Sequence, residues 1–306
     1  MQTTIYCPDI ECESCVHVLK KRLGHQEGVE NIAIKEDRLI ITHTEKVRKE
    51  DLKQIVKKAG FRADFNPFER KTFNERMRHF KENKHAYTVE RQAIQKLGIT
   101  FLALIVLEVI MYFSFLQGKE GFLAAYGLWF LYLAITVSTI GIAAWYFYSY
   151  RFKLTCMMGM MVGMTFGMQT GMMLGAILGA TNGFFIGALV GLIVGTTIGF
   201  ITGKGCGIMG AMEGMMAGAM GGTMGPMVTV MMFSDHLHVF MPFYMIINVA
   251  ITLGLLYMVY EESIEGKEDV KKQKLDYAYF LAICVIITVA TIALMVFGPK
   301  SPLIAF

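Results

Sequence analysis

MMGMMVGMTFGMQTGMMLG, residues 157–175, holds eight methionines and five glycines in nineteen positions. Its length suits a bilayer, yet it is short of bulk and rich in soft sulfur. The glycines explain the missing bulk. They fall at every fourth position, and the run continues outward without a miss, at 159, 163, 167, 171, 175, 179, 183, 187, 191, 195, 199, 203 and 207. Glycine at that spacing lines a groove along a helix, which lets a neighbouring backbone come close and favours right-handed crossings of about −40°. Gly210, Gly214, Gly218 and Gly222 carry the row into a further helix. The glycines therefore predict a scaffold of closely packed membrane helices.

Seven apolar stretches long enough to cross a bilayer follow one another, at roughly 98–117, 122–148, 154–179, 183–203, 206–233, 239–260 and 277–298. With the amino terminus inside, the inner loops hold Arg151, Lys153, Lys204, Lys267, Lys271, Lys272 and Lys274, and the outer segments only Lys119 and Lys300. That bias predicts amino end in and carboxyl end out. Residues 1–20 lack the basic start and the apolar run of a cleavable signal, so the soluble part is expected in the cytosol. Three regions result: a soluble domain over 1–66, a basic juxtamembrane linker over 67–97, and the membrane part over 98–306. The linker, with 8 Lys+Arg against 4 acids, reads as a helix entering span 1 with its cations toward anionic lipid heads. Its abutment on a membrane span argues against nucleic acid as a partner.

Methionine needs its own explanation. Seventeen of the 24 lie between 157 and 232, yet span 4, in the middle, has none. Span 3 carries Cys156, Met160, Met164, Met168 and Met172 in a row beside its glycines, and span 5 carries Met212, Met216, Met220 and Met224. Rungs four residues apart stand about 6 Å apart along a helix axis. Thioethers are neutral, soft ligands suited to copper(I) or silver(I) and poorly suited to zinc. Scattered methionine usually fills cores, but two facing columns flanking a methionine-free helix predict a metal path. Cys156 and Cys206 fall at the cytosolic mouths of spans 3 and 5, and the fourth span is expected to hold them close. Beyond the outer end of span 5, SDHLHVFM places Asp235, His236, His238 and Met241 outside; imidazole accepts either copper oxidation state. Ligand type then runs imidazole, thioether, thiolate from outside to inside. Glu108 in span 1 and Glu213 in span 5 are candidates for coupling, because acids within a membrane are costly and often functional. Gln169 and Asn248 read as hydrogen-bond partners between helices, and Cys284 as packing.

The first 65 residues run strand, Cys-containing loop, helix, strand, strand, helix, strand. That βαββαβ order predicts a ferredoxin-like α+β domain ahead of an all-α polytopic membrane domain. Cys12-x-x-Cys15 precedes its first helix. Thiolates are soft donors for copper(I), zinc or mercury, and a helix amino terminus lowers a nearby thiol's pKa. TTIYCPDIECESCVHVLKKRLGHQEGVENIAI, with DLKQIVKKAGFRADF, resembles a heavy-metal-associated domain, the fold of soluble copper chaperones and of the cytosolic modules of metal-pumping ATPases. The resemblance covers about a fifth of the chain. It implies that Cys12 and Cys15 bind a soft cation and that Phe61 sits in the loop beside the metal. Two residues depart from the family pattern. Ile10 stands where methionine is usual, and Glu11 ahead of Cys12 resembles zinc-type members. Cys7, in the first strand, reads as buried packing.

Neither an Asp-Lys-Thr-Gly motif, nor a Walker motif, nor a Cys-Pro-Cys membrane pair is present. ATP-driven pumping, and enzymatic activity in general, are therefore not expected. Methionine set against glycine packing is similar in chemistry to the eukaryotic high-affinity copper transporters, which have three spans. The expectation is a copper(I) transport protein of the cell membrane, importing rather than exporting, with a cytosolic copper chaperone and a second copy of the chain as candidate partners. A transporter of mercury, silver or zinc is one alternative. A membrane metallochaperone delivering copper to a partner protein is another, and a thiol-transfer redox enzyme a distant third.

Overall fold

The computed structural model describes residues 1–8, 10, 13–24, 26, 28–35, 38–44, 47–59, 61–67, 78, 88–116, 122–151, 156–261, 271–272 and 276–301. The side chains of 13–15, 35, 88, 115–116, 122–125, 150–151, 156 and 271–272 are outside that description. The chain divides into two compact units, one of residues 1–86 with 153–157 and 265–269, the other of 87–152, 158–264 and 270–306.

The first unit contains β1 (Gln2–Tyr6), α1 (Glu13–Gly24), β2 (Val29–Lys35), β3 (Arg38–His43) and α2 (Lys49–Lys58). Alternation sets its inner face: Thr3 and Ile5 of β1 and Leu39, Ile41 and His43 of β3 are buried, with less buried residues between them. β3 is central and pairs antiparallel with both β1 and β2. Ile5, Leu19, Leu23, Leu39, Ile41, Leu52 and Val56 form the core; burying each such side chain stabilises by about 1.5–3 kcal/mol. The fourth strand expected at FRADF is a single antiparallel bridge, Tyr6 to Asp64. The Asp64 carboxylate accepts the Phe65 backbone N–H at 2.7 Å and the Lys53 ammonium at 3.0 Å. Cys7 is buried, as expected of packing.

The second unit is helical: α3 (Thr88–Met111), α4 (Phe122–Tyr148), α5 (Cys156–Asn182), α6 (Phe184–Gly203), α7 (Ile208–Met231), α8 (Leu237–Val259) and α9 (Tyr277–Phe297). All seven are long and apolar enough to cross a membrane, which makes the chain a multi-pass membrane protein by architecture. The first begins ten residues before the apolar run. Lys96 stays within it because its ammonium sits 3.7 Å over the Trp145 ring. The rest of the expected linker helix, 68–77 and 79–87, lies outside the described residues. A two-residue pair, Tyr150–Arg151 with Lys271–Lys272, joins two of the connections.

α4 packs against α3, α8 and α9, and its Trp129, Leu133 and Val137 share a core with Met173 and Ile177 of α5, Met241 of α8 and Ile292 of α9. α5, α6 and α7 pack on one another through glycine. A Cβ on Gly163 would lie 2.8 Å from the Gly203 Cα, one on Gly171 2.6 Å from the Gly222 nitrogen, and one on Gly191 2.9 Å from the Gly222 oxygen. These are backbone-to-backbone contacts. At Gly195 all three helices meet: a Cβ there would stand 2.8 Å from the Gly218 oxygen and 3.0 Å from the Gly171 Cα. Gly195→Ala is therefore expected to cost about 1–3 kcal/mol through overpacking. Gly254→Ala on α8 meets nothing within 4 Å and should be neutral or stabilising, since alanine is the better helix former by about 1 kcal/mol. Thermal unfolding of the two variants checks this; equal melting points would contradict the packing.

Candidate functional site

The glycine contacts fix which way the two methionine rows point. Successive residues of an α-helix are turned by about 100°. On α7, Gly210, Gly214, Gly218 and Gly222 meet α6, while the row 213, 217, 221, 225 turns toward α5. There a Cβ on Gly221 would lie 2.9 Å from the Met168 Cα, and one on Gly225 2.9 Å from the Met172 Cα. Met212, Met216, Met220 and Met224 stand two positions beyond each glycine of the first row, about 200° around. They point away from α6, and their side chains are 57%, 70%, 58% and 41% exposed. On α5, Met160, Met164, Met168 and Met172 follow each glycine by one position and border the seam with α7. Met164 is exposed and the other three are half-buried.

This corrects the expected arrangement. The two rows do not face each other across α6; both flank the α5–α7 seam on the surface opposite α6. The reason is the glycine itself. Three helices in backbone contact leave no lumen between them, so large side chains on α7 can only turn outward. The resulting surface is chemically distinct. Among the described residues, α3, α4, α6, α8 and α9 expose Ile, Leu, Val, Phe and Tyr as their large apolar side chains, whereas α5 and α7 expose only methionine apart from Ile208. Sequence reasoning missed this surface although the signal was there: counting positions from each glycine gives the side of the helix.

Cys206 ends a 3-10 turn, Lys204–Cys206, ahead of α7. It is half-buried against Gly159, where a Cβ would approach its Sγ to 2.6 Å. Gly159 is three residues past Cys156, so the turn reaches the correct end of α5; the Cys156 side chain lies outside the described residues. Direct packing of α7 on α5, rather than a shared α6 alone, brings the two ends together. Glu213 is half-buried on the row turned toward α5.

Beyond α7, the His236 side chain is 90% exposed, with its Nε2 3.9 Å from the Asp235 carboxylate. His238 is exposed beside the Trp129 ring, 6.3 Å between centroids. Met241 does not join them. It is fully buried in the α4–α5–α8 core, one turn beyond buried Leu237 on the inner face of α8, so the external site contains imidazole without this thioether. Glu108 of α3 is buried with its Oε1 unpartnered, as is the Gln169 Oε1 on α5. Asn248 donates to the Tyr244 carbonyl of its own helix at 2.7 Å rather than across to another. Cys284 packs on Gly141, with its thiol 3.9 Å from the Val137 carbonyl.

In the first unit, α1 begins at Glu13, so Cys15 occupies its first turn and Cys12 directly precedes it. Cys12 and the Cys15 side chain lie outside the described residues. Ile10 packs against the core, and Phe61 is one of the buried residues of that core. Among the described residues, no three His, Cys, Asp or Glu side chains form a group that could hold a metal ion. The chemistry with an observed geometry is thus the thioether surface. Compared with protein-family models, with curated proteins and with solved structures, the chain matches none.

Proposed function

We propose that the chain is a copper(I) transport protein of the cell membrane, with its own soft-metal acceptor in the amino-terminal unit. The observation that carries this reading is the thioether surface on α5 and α7. Both methionine rows lie on one side of one helix pair, in a protein whose other spans present aliphatic and aromatic side chains to their surroundings. Lipid contact does not call for sulfur. Copper(I) does, since soft thioethers bind it without adding charge to the membrane.

On this reading His236 and His238 collect the ion outside, the methionines pass it inward, and Cys156 and Cys206 receive it. Cys12 and Cys15, in a heavy-metal-associated, ferredoxin-like domain on the cytosolic side, are the final acceptor. Import is the favoured direction. Cytosolic thiols keep free copper scarce, so passive movement through weak thioether sites runs inward. Export would need coupling, for which Glu108 and Glu213 are the candidates.

The test is copper(I) uptake by sealed liposomes containing only this protein and an internal copper(I) chelator, repeated with zinc. Copper accumulation with little zinc is the expected result. A metallochaperone would load with copper yet move none without its partner, and equal zinc flux would point to a different metal.

A further inference from the structure

Resting on the transport reading, we infer that Glu213 is the charged member of the thioether path. With Met160 it forms a rung that holds a soft monovalent cation, copper(I), as a neutral pair just outward of Cys206. The seam between α5 and α7 gives the placement. A Cβ on Gly225 would lie 2.3 Å from the Met172 oxygen, and one on Gly221 2.3 Å from the Met168 oxygen. Both contacts advance together, so the two helices run in the same direction and keep one register. Followed by whole turns toward the cysteine end, that register sets Ala217 opposite Met164 and Glu213 opposite Met160.

Side-chain size grows along this row of α7, from Gly225 and Gly221 through Ala217 to Glu213. Ala217 carries a real Cβ, which needs more room than the 2.3 Å that Gly221 leaves. The seam therefore widens along the row toward the end where Cys206 packs on Gly159. Glu213 and Met160 are both half-buried in that wider part. Composition singles the residue out as well. α5, α6 and α7 contain no Asp, Lys or Arg, and Glu213 is their one Glu. It stands five residues into α7, about 7.5 Å from the helix start. Among the described residues its carboxylate has no ion-pair or hydrogen-bond partner, so its charge is available to an ion in the seam.

The chemistry follows from charge. Thioethers are neutral, so an ion passing Met168 and Met164 keeps its full charge, and an unpaired charge in hydrocarbon is costly. Glu213 ends that condition. A carboxylate is a hard donor that copper(I) does not select; it contributes charge, while Met160 contributes the soft ligand. Stabilisation of the ion then rises in order, from thioether alone, to thioether with carboxylate, to thiolate at Cys206.

Infrared difference spectra of the full chain in nanodiscs, with and without copper(I), test the rung. Copper(I) should shift a carboxylate stretching band of the wild-type chain, and Glu213→Gln should remove that response. Met160→Leu keeps the carboxylate and deletes the soft ligand, so it should weaken the same response, and it reads the site should Glu213→Gln fold poorly. In chelator-loaded liposomes, Glu213→Gln should slow copper(I) uptake by about tenfold or more, the range for removing a group that supports a metal's ligands, at the wild-type melting temperature. No carboxylate response in the wild-type chain, a response that survives Glu213→Gln or is full in Met160→Leu, or wild-type uptake by Glu213→Gln, would overturn the inference. The two claims fail separately. A wild-type chain that moves no copper but shows the Glu213 response sinks the transport reading alone, and uptake without that response sinks the rung alone.

Discussion

Cys12→Ser with Cys15→Ser is expected to abolish the copper(I) site proposed for the amino-terminal unit. Hydroxyl groups are hard donors that stay protonated at neutral pH, whereas copper(I) selects thiolate. Even outer-shell changes around a metal weaken binding by about 10–100-fold, so losing both sulfurs should exceed about 100-fold. The fold should survive. Its core is built from Ile5, Leu19, Leu39, Ile41 and Leu52. Titration of the full chain against a copper(I) chelator, with circular dichroism as the control, should show one high-affinity equivalent lost and no change in secondary structure. Unchanged stoichiometry would remove Cys12 and Cys15 from the account. Preference of the wild-type site for zinc would make Glu11 the residue to substitute next.

Much of the architecture was legible because membrane spans are governed by a single strong rule. Long apolar runs gave seven helices near the expected positions, and the described residues hold seven. The linker is expected to run into span 1 as a helix, and the helix that starts at Thr88 does so through Lys96, whose ammonium lies over the Trp145 ring. The fourth strand is shortened to one bridge, Tyr6 to Asp64, an extent that alternation of apolar residues does not reveal.

The candidate site was legible as chemistry and misread as geometry. Fourfold spacing of Met and Gly showed that each forms a row. It did not show that the rows lie beside one another, because that depends on which helices touch. Close α6–α7 and α5–α7 contacts at Gly218 and Gly221 put α6 on the far side from both rows. Met241 was misplaced for a related reason. It follows His236 and His238 in sequence, but α8 begins at Leu237, and the first turns of a helix send neighbours to opposite sides.

The central claim is that the methionines conduct metal, and Met164→Leu with Met168→Leu tests it most directly. Met164 is exposed and Met168 half-buried at the seam. Leucine of similar volume should therefore cost under about 1.5 kcal/mol in folding, while two successive thioether rungs disappear. Copper(I) uptake into chelator-loaded liposomes should fall by about tenfold or more, equivalent to about 1.4 kcal/mol at the barrier. Melting temperature and yield should match the wild-type chain. Uptake at the wild-type rate by a stably folded double variant would contradict the account, and would leave the methionines as packing.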